Sequence, residues 1–171
     1  LWDGTISEMK VSLSDRNRKL IIELTERGIV NSICSKNDWD VAKNELEKYG
    51  IWNYFVFSSI DWTMKGTRIK NIISDMALRP ANVLFVDDEP LNLQNAIASV
   101  SDQLMCATPD DAISALEEQM VNLKVDTSCP RLKQYKVLEE KRESKNEFSS
   151  DEEFLAASEI TVTISSDCDT Q

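Results

Sequence analysis

Short apolar runs and amphipathic segments alternate along this chain. The apolar runs predict strands, and the segments between them have apolar residues at helical spacing. The predicted strands are Ile29–Cys34, Tyr54–Phe57, Val83–Val86 and Leu104–Ala107. Regular alternation of strand and helix is typical of a parallel sheet with helices on both faces. The pattern therefore predicts an α/β protein with a doubly wound parallel sheet.

The helix boundaries are predicted from apolar spacing and from residues that start or stop helices. Leu20, Ile21 and Leu24 mark the buried face of a first helix, which Gly28 ends, and Asp38 is a predicted N-cap. The later helices are expected from about Trp39 to Gly50, from Lys65 to Pro80, from near Leu91 to Val100, and from Asp110 to about Val121. Residues 122–131 are predicted to be a linker that leads into a charged helix.

The third predicted strand ends in paired carboxylates. The apolar run from Val83 is followed at once by Asp87 and Asp88. Ligands of open α/β sheets bind at the carboxyl ends of the strands, and two adjacent carboxylates attract a hard cation such as Mg²⁺. Capping of the helix that begins near Leu91 is the alternative role of these aspartates. The run by itself leaves both interpretations open.

Two further segments place polar residues at the ends of predicted elements. The run Ile29–Cys34 stops at Ser35, Lys36 and Asn37, and hydroxyl and N–H groups before a helix are suited to binding phosphate oxygens. Lys65 opens a helix, where its charge opposes the helix dipole. This unfavourable position suggests a functional role for Lys65. A turn serine and an ordinary solvated lysine are the alternatives.

The order of these motifs resembles that of the haloacid dehalogenase (HAD) superfamily of phosphohydrolases. The matching features are a strand followed by Ser35, Lys65 before a helix, and a strand that ends in Asp87 and Asp88. The finer resemblance is to subfamily IIIC, the FkbH-like branch, through Leu1–Gly4, Cys34–Asp38, Trp62–Lys65 and Phe85–Pro90. Residues Arg131–Ile164 resemble the linker that leads to the acetyltransferase-like second domain of that branch. The resemblance covers nearly the whole chain.

The resemblance implies a Rossmann-like parallel sheet and phosphoryl transfer through an aspartyl phosphate. It implies that Asp87, with Asp88, holds Mg²⁺, and that Lys65 neutralises charge on the nucleophile and the phosphate. Lys65, Asp87 and Asp88 are therefore the predicted catalytic residues. The predicted phosphate-binding residues are Ser35, Lys36, Asn37 and Lys65. The expected substrate is a phosphorylated small molecule.

The nucleophilic aspartate of the family would lie directly before Leu1, in a motif Asp-x-Asp-x-Thr that this chain does not contain. Loss of its strand would expose two apolar edges at the centre of the sheet. At the other end, Glu159–Ile164 alternates polar and apolar residues like a strand without a partner. We therefore expect the native polypeptide to extend in both directions. The expected parts are a phosphatase-like domain over 1–121, a linker and connector over 122–157, and the first strand of a second domain over 158–171.

Composition narrows the expected partners. The net charge is −11, and residues 139–171 contribute −7 of it through ten acidic and three basic residues. Such a chain repels nucleic acid phosphates, so nucleic acid is not an expected partner. No run approaches the roughly 20 apolar residues of a membrane span, and no signal-peptide pattern is visible, which predicts a cytoplasmic protein without a membrane partner. The absence of histidine favours oxygen ligands, and so Mg²⁺ over zinc.

Substrate and partner follow from the resemblance alone. FkbH-like proteins are associated with polyketide assembly, where some members load a phosphoglycerate-derived acyl group onto an acyl carrier protein. Cys34 is a candidate for holding that acyl group as a thioester, although all four cysteines lack metal-binding spacing and are expected to be reduced thiols. The alternatives are a catalytically inactive HAD-like scaffold and a response-regulator receiver domain. A receiver domain requires a further strand ending in an acceptor aspartate, whereas Leu104–Ala107 ends at Thr108.

Overall fold

The computed structural model describes residues 15–146 and shows a mixed α/β fold with short parallel strands. The helices are α1 Asp15–Glu26, α2 Trp39–Lys48, α3 Lys65–Asp75, α4 Pro90–Ser99, α5 Pro109–Met120 and α6 Pro130–Asn146. The strands are β1 Cys34–Ser35, β2 Ser59–Ile60, β3 Leu84–Val86 and β4 Met105–Ala107. The predictions made for Leu1–Gly4, Glu159–Ile164 and Cys168 lie outside the described residues.

The four strands form two parallel pairs. In the first pair Cys34 of β1 lies opposite Ser59 of β2, and in the second Phe85 of β3 lies opposite Cys106 of β4. Within residues 15–146 these pairs are two separate two-stranded sheets. The α/β class and the parallel pairing are thus confirmed, whereas the single doubly wound sheet stays a prediction.

Most helix boundaries agree with the sequence pattern. Leu20, Ile21 and Leu24 are buried on α1, and Gly28 follows that helix with a φ of 77°, a conformation that glycine adopts without a steric penalty. Asp38 caps α2, because its carboxylate accepts hydrogen bonds from the N–H groups of Asp40 and Val41. These predictions are confirmed.

The first two predicted strands are wrong in extent. Asn31 pairs with Phe55 in an isolated bridge, and regular pairing starts only at Cys34 and Ser59. The second segment therefore contains one more residue than the first between these two points. Phe57 lies in this stretch with a φ of 49°, which breaks the pleat. Such a bulge interrupts the ladder, and it places β2 after the predicted run rather than within it.

The end of α3 also differs from the prediction. The helix was expected to continue to Pro80, but it stops at Asp75. Ala77 adopts a φ of 52°, and its N–H donates to the carbonyl of Ser74. A left-handed residue after a helix ends it in the way that glycine usually does, although alanine carries a steric cost there. The chain therefore leaves the helix before proline has any influence.

Helices α3 and α4 pack around β3 and against Cys34 of β1. One buried cluster joins helices α3 and α4 to strand β3, and Cys34 of β1 packs against it. Its buried members are Ile69, Ile73, Phe85, Ala96 and Leu104. Helix α6 joins a second cluster through Leu132 and Tyr135, which pack against Val56, Phe57 and Met76. None of the helices within residues 15–146 combines the length and the apolar character that crossing a membrane requires.

Candidate active site

Lys65 and Asp87 form an ion pair at the carboxyl end of β3. Lys65 is the first residue of α3, and Asp87 directly follows β3. The Lys65 Nζ lies 2.5 Å from Asp87 Oδ2, and the side chains are only 14% and 3% exposed. Met64, the N-cap of α3, makes no side-chain capping hydrogen bond. The nearby carboxylate therefore offsets the unfavourable position of a cation at a helix start.

Three donors hold the Asp87 carboxylate in one orientation. Its Oδ1 accepts hydrogen bonds from the Glu89 N–H at 3.0 Å and from the Asn92 side-chain amide at 2.9 Å, while Oδ2 accepts from Lys65. Burial alone would raise the pKa of Asp87, but the bonds from Lys65, Asn92 and Glu89 and the charge of Lys65 outweigh it and hold the pKa below its usual value. Asp87 is therefore an oriented anion.

Asn92 and Asp88 differ in how they relate to this pair. Asn92 lies in the first turn of α4, five residues after Asp87, and sequence analysis did not single it out. Its position shortly after the strand's paired carboxylates was the signal available. Asp88 is exposed beside Asp87. The helix cap of α4 is Glu89, whose carboxylate accepts from the Leu91 N–H, so neither aspartate serves as that cap.

Ser35, Lys36 and Asn37 form the turn between β1 and α2. Ser35 is half-buried, and Lys36 is exposed. Asn37 is buried, and its side-chain oxygen accepts a hydrogen bond from the Asp38 N–H at 2.7 Å. The turn is thus held by its own side chains, ahead of a helix start whose N–H groups favour anions.

Lys65 lies between Cys34 of β1 and the end of β3. Its carbonyl oxygen lies 3.9 Å from the Cys34 Sγ of β1, while its ammonium group binds Asp87. The structure therefore brings the end of β1 and the end of β3 to either side of one residue. The predicted role of these segments as one site stays a prediction.

Gly66 explains how closely α3 and α4 approach behind the site. A Cβ at this position would lie 2.4 Å from Ser99 Oγ and 2.7 Å from the Asn95 carbonyl oxygen. Both distances are far below a normal contact, so only glycine allows this packing. The contact fixes the helix that carries Asn92 against the helix that carries Lys65.

Arg68 was not recognised from the sequence. It lies one turn after Lys65 on α3, and it is only 6% exposed. Its Nη1 donates to the carbonyl oxygens of Ser35 at 2.9 Å and Ser59 at 3.0 Å, and Asp61 Oδ2 lies 3.5 Å away. Arg68 thereby joins Ser35, the last residue of β1, to Ser59, the first residue of β2, and holds the backbone of Ser35. The i, i+3 spacing from Lys65 was the available signal.

Cys34 is suited to packing rather than to nucleophilic chemistry. Burial raises the pKa of its thiol to about 11, despite the opposing charges of Arg68 and Lys65. A thiol with this pKa is almost entirely protonated at neutral pH, and the thiolate is the reactive form. Cys34, Cys106 and Cys129 are free thiols, as expected for these three.

Two adjacent carboxylates at the end of β3 are the oxygen donors available to a cation here. Asp87 and Asp88 supply adjacent carboxylate oxygens, and Mg²⁺ commonly uses one or two protein carboxylates and completes its shell with water and phosphate oxygens. Within residues 15–146, no group of three or more acidic, cysteine or histidine side chains is placed to hold a metal ion. Asp87 and Asp88 offer carboxylate oxygens of the kind that Mg²⁺ binds, but they do not form a complete protein cage.

Comparison with known proteins gave no relative: no protein-family model, curated protein sequence or solved structure matches this chain.

Proposed function

We propose that this edge is the phosphoryl-transfer centre of an HAD-type enzyme of the FkbH-like branch. The observation that carries the proposal is the buried Lys65–Asp87 pair, located where the ends of β1 and β3 converge on one residue. A lysine at a helix start is unfavourable unless an anion is close, and a phosphoryl group adds negative charge at the same place. The pair therefore supplies a cation that an added phosphoryl group can share with Asp87.

The proposed fold is a doubly wound sheet in which one further parallel strand lies between β1 and β3. Three features support it. The two described strand pairs are both parallel, and β1 and β3 are separate from each other among the described residues. Cys34 and Phe85 nevertheless belong to the same packed cluster. In this fold the inserted strand carries the nucleophilic aspartate, and the proposal requires that strand for activity.

Each residue has a defined task in the proposed reaction. The nucleophilic carboxylate attacks phosphorus, and the leaving group departs with a proton from a second carboxylate. The Lys65 ammonium group neutralises charge that builds on the phosphoryl oxygens, while Ser35 and the N–H groups of Lys36 and Asn37 bind those oxygens. Asn92 and the Glu89 N–H keep Asp87 ionised and oriented. Arg68 positions Ser35 through its carbonyl group.

The proposed cofactor is Mg²⁺, held by Asp87 and Asp88. When bound, it would neutralise phosphoryl charge and orient the phosphate. The lowered pKa of Asp87 supports this role, because a metal ligand must be ionised.

The proposed substrate is a phosphorylated small molecule, and an acyl carrier protein is the proposed partner in the cytoplasm. Three large exposed apolar side chains near the site support contact with an apolar part of the substrate or of a partner protein. Trp62 and Met64 precede α3, Leu91 lies in the first turn of α4, and all three are strongly exposed. Exposed apolar residues near a site favour contact with a substrate or a partner.

The proposal is tested by trapping the phosphoenzyme. The coding sequence next to Leu1 is determined first, because the proposal requires an Asp-x-Asp-x-Thr motif in the native polypeptide. The native-length protein is then incubated with p-nitrophenyl phosphate and Mg²⁺, quenched in acid, and digested for mass spectrometry. Phosphorylation of the first aspartate of that motif supports the proposal. An absent motif or an unmodified peptide contradicts it and favours the inactive scaffold.

A further inference from the structure

Arg68 has two buried hydrogen-bond donors without acceptors. Its Nε and Nη2 have no partner within the described part of the chain, although both atoms are buried. Its Nη1 is satisfied, because it donates to Ser35 and Ser59. A buried cationic donor without a partner is costly, and native proteins rarely leave such groups unpaired. The guanidinium group therefore lacks an anion on one side.

The unpaired atoms form one particular edge of the guanidinium group. The Nε–H and one Nη2–H are parallel, and this edge binds both oxygens of a carboxylate or two oxygens of a phosphoryl group. Asp61 does not occupy this edge, because its Oδ2 lies 3.5 Å from Nη1 and its Oδ1 accepts hydrogen bonds from Thr63. The edge is therefore suited to a two-oxygen anion.

Arg68 also lines a cavity of about 760 Å³. The cavity follows α3 from Thr67 to Asp75, a span of roughly 12 Å at the helical rise per residue, and reaches α6. Trp39 and Met64 line it together with Arg68, so the same cavity borders on the turns that lead into α2 and α3. Arg68 is part of the wall of this cavity, so the cavity is the space from which an anion would approach its side chain.

Charge differs between the two ends of the cavity. Asp61 lies next to Arg68 at one end of the cavity. At the α6 end the wall contains Asp75, which pairs with Arg142, Glu139, which pairs with Lys136, and Glu143, an acidic residue for which no ion pair is found among the described residues. The α6 end therefore repels a second anionic group. A small acid with one anionic group fits the cavity better than a long polyanion.

We propose that the Arg68 end of this cavity is a binding site for a single oxyanion, a carboxylate or a phosphate, separate from the Lys65–Asp87 pair. The site does not depend on the proposed phosphoryl transfer. It receives the anion through the Nε–Nη2 edge, while Nη1 keeps the ends of β1 and β2 together. If phosphoryl transfer also holds, this is a place for the second acidic group of the substrate.

Isothermal titration of the protein with acetate, inorganic phosphate and citrate tests the site. We expect saturable millimolar binding of acetate or phosphate, and the better of the two identifies the class of anion. Citrate should bind more weakly because of the acidic end. Arg68→Lys keeps the charge but loses the two-donor edge, so affinity should fall by about tenfold or more. Lys124→Gln, at an exposed position outside the cavity lining, is the control and should leave this binding unchanged.

A second variant keeps the test meaningful if Arg68→Lys does not fold. Asp61→Asn removes the carboxylate nearest to the guanidinium group, while its side-chain oxygen can still accept hydrogen bonds from Thr63. This variant should bind the anion several-fold more tightly. The proposal is overturned if no saturable binding occurs up to tens of millimolar. It is also overturned if binding persists in Arg68→Lys and disappears in Lys65→Gln, because the anion would then bind at the Lys65–Asp87 pair.

Discussion

Lys65 and Asp87 are separated by 22 positions in the chain, yet their charged atoms lie 2.5 Å apart. Lys65 is the first residue of α3, and Asp87 directly follows β3, so the backbones of this helix and this strand set the position of the pair. The pair is nearly buried, and this decides how its members respond to substitution.

Removal of one member should be more harmful than removal of both. Asp87→Asn leaves the Lys65 cation poorly paired in a largely buried place, which should lower the free energy of unfolding by about 3 kcal/mol. The double variant Asp87→Asn with Lys65→Met should recover part of that loss. Urea unfolding of the wild type, the single variants Asp87→Asn and Lys65→Met, and the double variant gives the coupling energy between the two side chains. Strictly additive losses would show that the two side chains do not interact energetically.

Stability should decrease in acid partly because of Asp87. Its pKa in the folded protein lies below its value in the unfolded chain, which is about 3.9. The stabilisation is therefore fully present above about pH 4 and is lost as the pH falls through the lower, folded pKa. Asp61 and Asp126 have lowered pKa values too, through hydrogen bonds from Thr63 and Ser128, and act in the same direction.

The pH dependence can be assigned by substitution. Urea unfolding is measured between pH 2 and pH 6. As the pH falls, the free energy of unfolding should decrease less steeply for Asp87→Asn than for the wild type. Asp102→Asn is the matched control, because Asp102 is exposed and its side chain contacts the neighbouring Ser101. If the free energy of unfolding fell equally steeply in the wild type and in Asp87→Asn, the pKa of Asp87 would not be lower in the folded protein than in the unfolded chain.

Gly66→Ala should destabilise the protein despite the higher helix propensity of alanine. The new methyl group would collide with Ser99 and with the backbone of Asn95, and such overpacking typically costs about 1–3 kcal/mol. Ser74→Ala, at an exposed position of the same helix, should have a far smaller effect. Thermal unfolding compares the two. A midpoint for Gly66→Ala equal to that of Ser74→Ala would contradict the close helix approach.

Cys34 should react slowly with alkylating reagents in the folded protein. With a thiol pKa of about 11, only about one molecule in a thousand carries the thiolate at pH 8. Mass spectrometry after brief iodoacetamide treatment should find Cys34 unmodified in the native protein and modified after unfolding in urea. Rapid alkylation of Cys34 in the native protein would contradict this low reactivity and would favour Cys34 as the residue that holds an acyl group as a thioester.

Sequence patterns predicted the parts of this fold that depend on local chemistry. The cap at Asp38, the start of α3 at Lys65 and the strand that leads to Asp87 each depend on a few adjacent residues, and the structure agrees with them. The bulge at Phe57 and the left-handed Ala77 were missed, because neither residue type favours a positive φ. Tertiary packing determines both.

The candidate site likewise contains residues that local sequence reveals and residues that only tertiary packing reveals. Lys65 was recognisable because its charge opposes the dipole of the helix that it opens, and Asp87 because it directly follows an apolar strand and precedes a second carboxylate. Arg68 and Asn92 were not, since a basic and an amide residue within helices usually face solvent. Only the structure shows that Arg68 is buried against two strand ends and that Asn92 reaches back to Asp87.

The most direct test of the central claim is steady-state hydrolysis of p-nitrophenyl phosphate with Mg²⁺ by the native-length protein. We predict that Asp87→Asn and Lys65→Ala lower kcat by about a hundredfold or more, because each removes charge stabilisation at the phosphoryl group. Asp102→Asn and Lys124→Ala, the matched exposed controls, should retain wild-type rates. Circular dichroism at the assay temperature verifies that each variant is folded. Folded Asp87→Asn and Lys65→Ala proteins with near wild-type turnover would contradict the account.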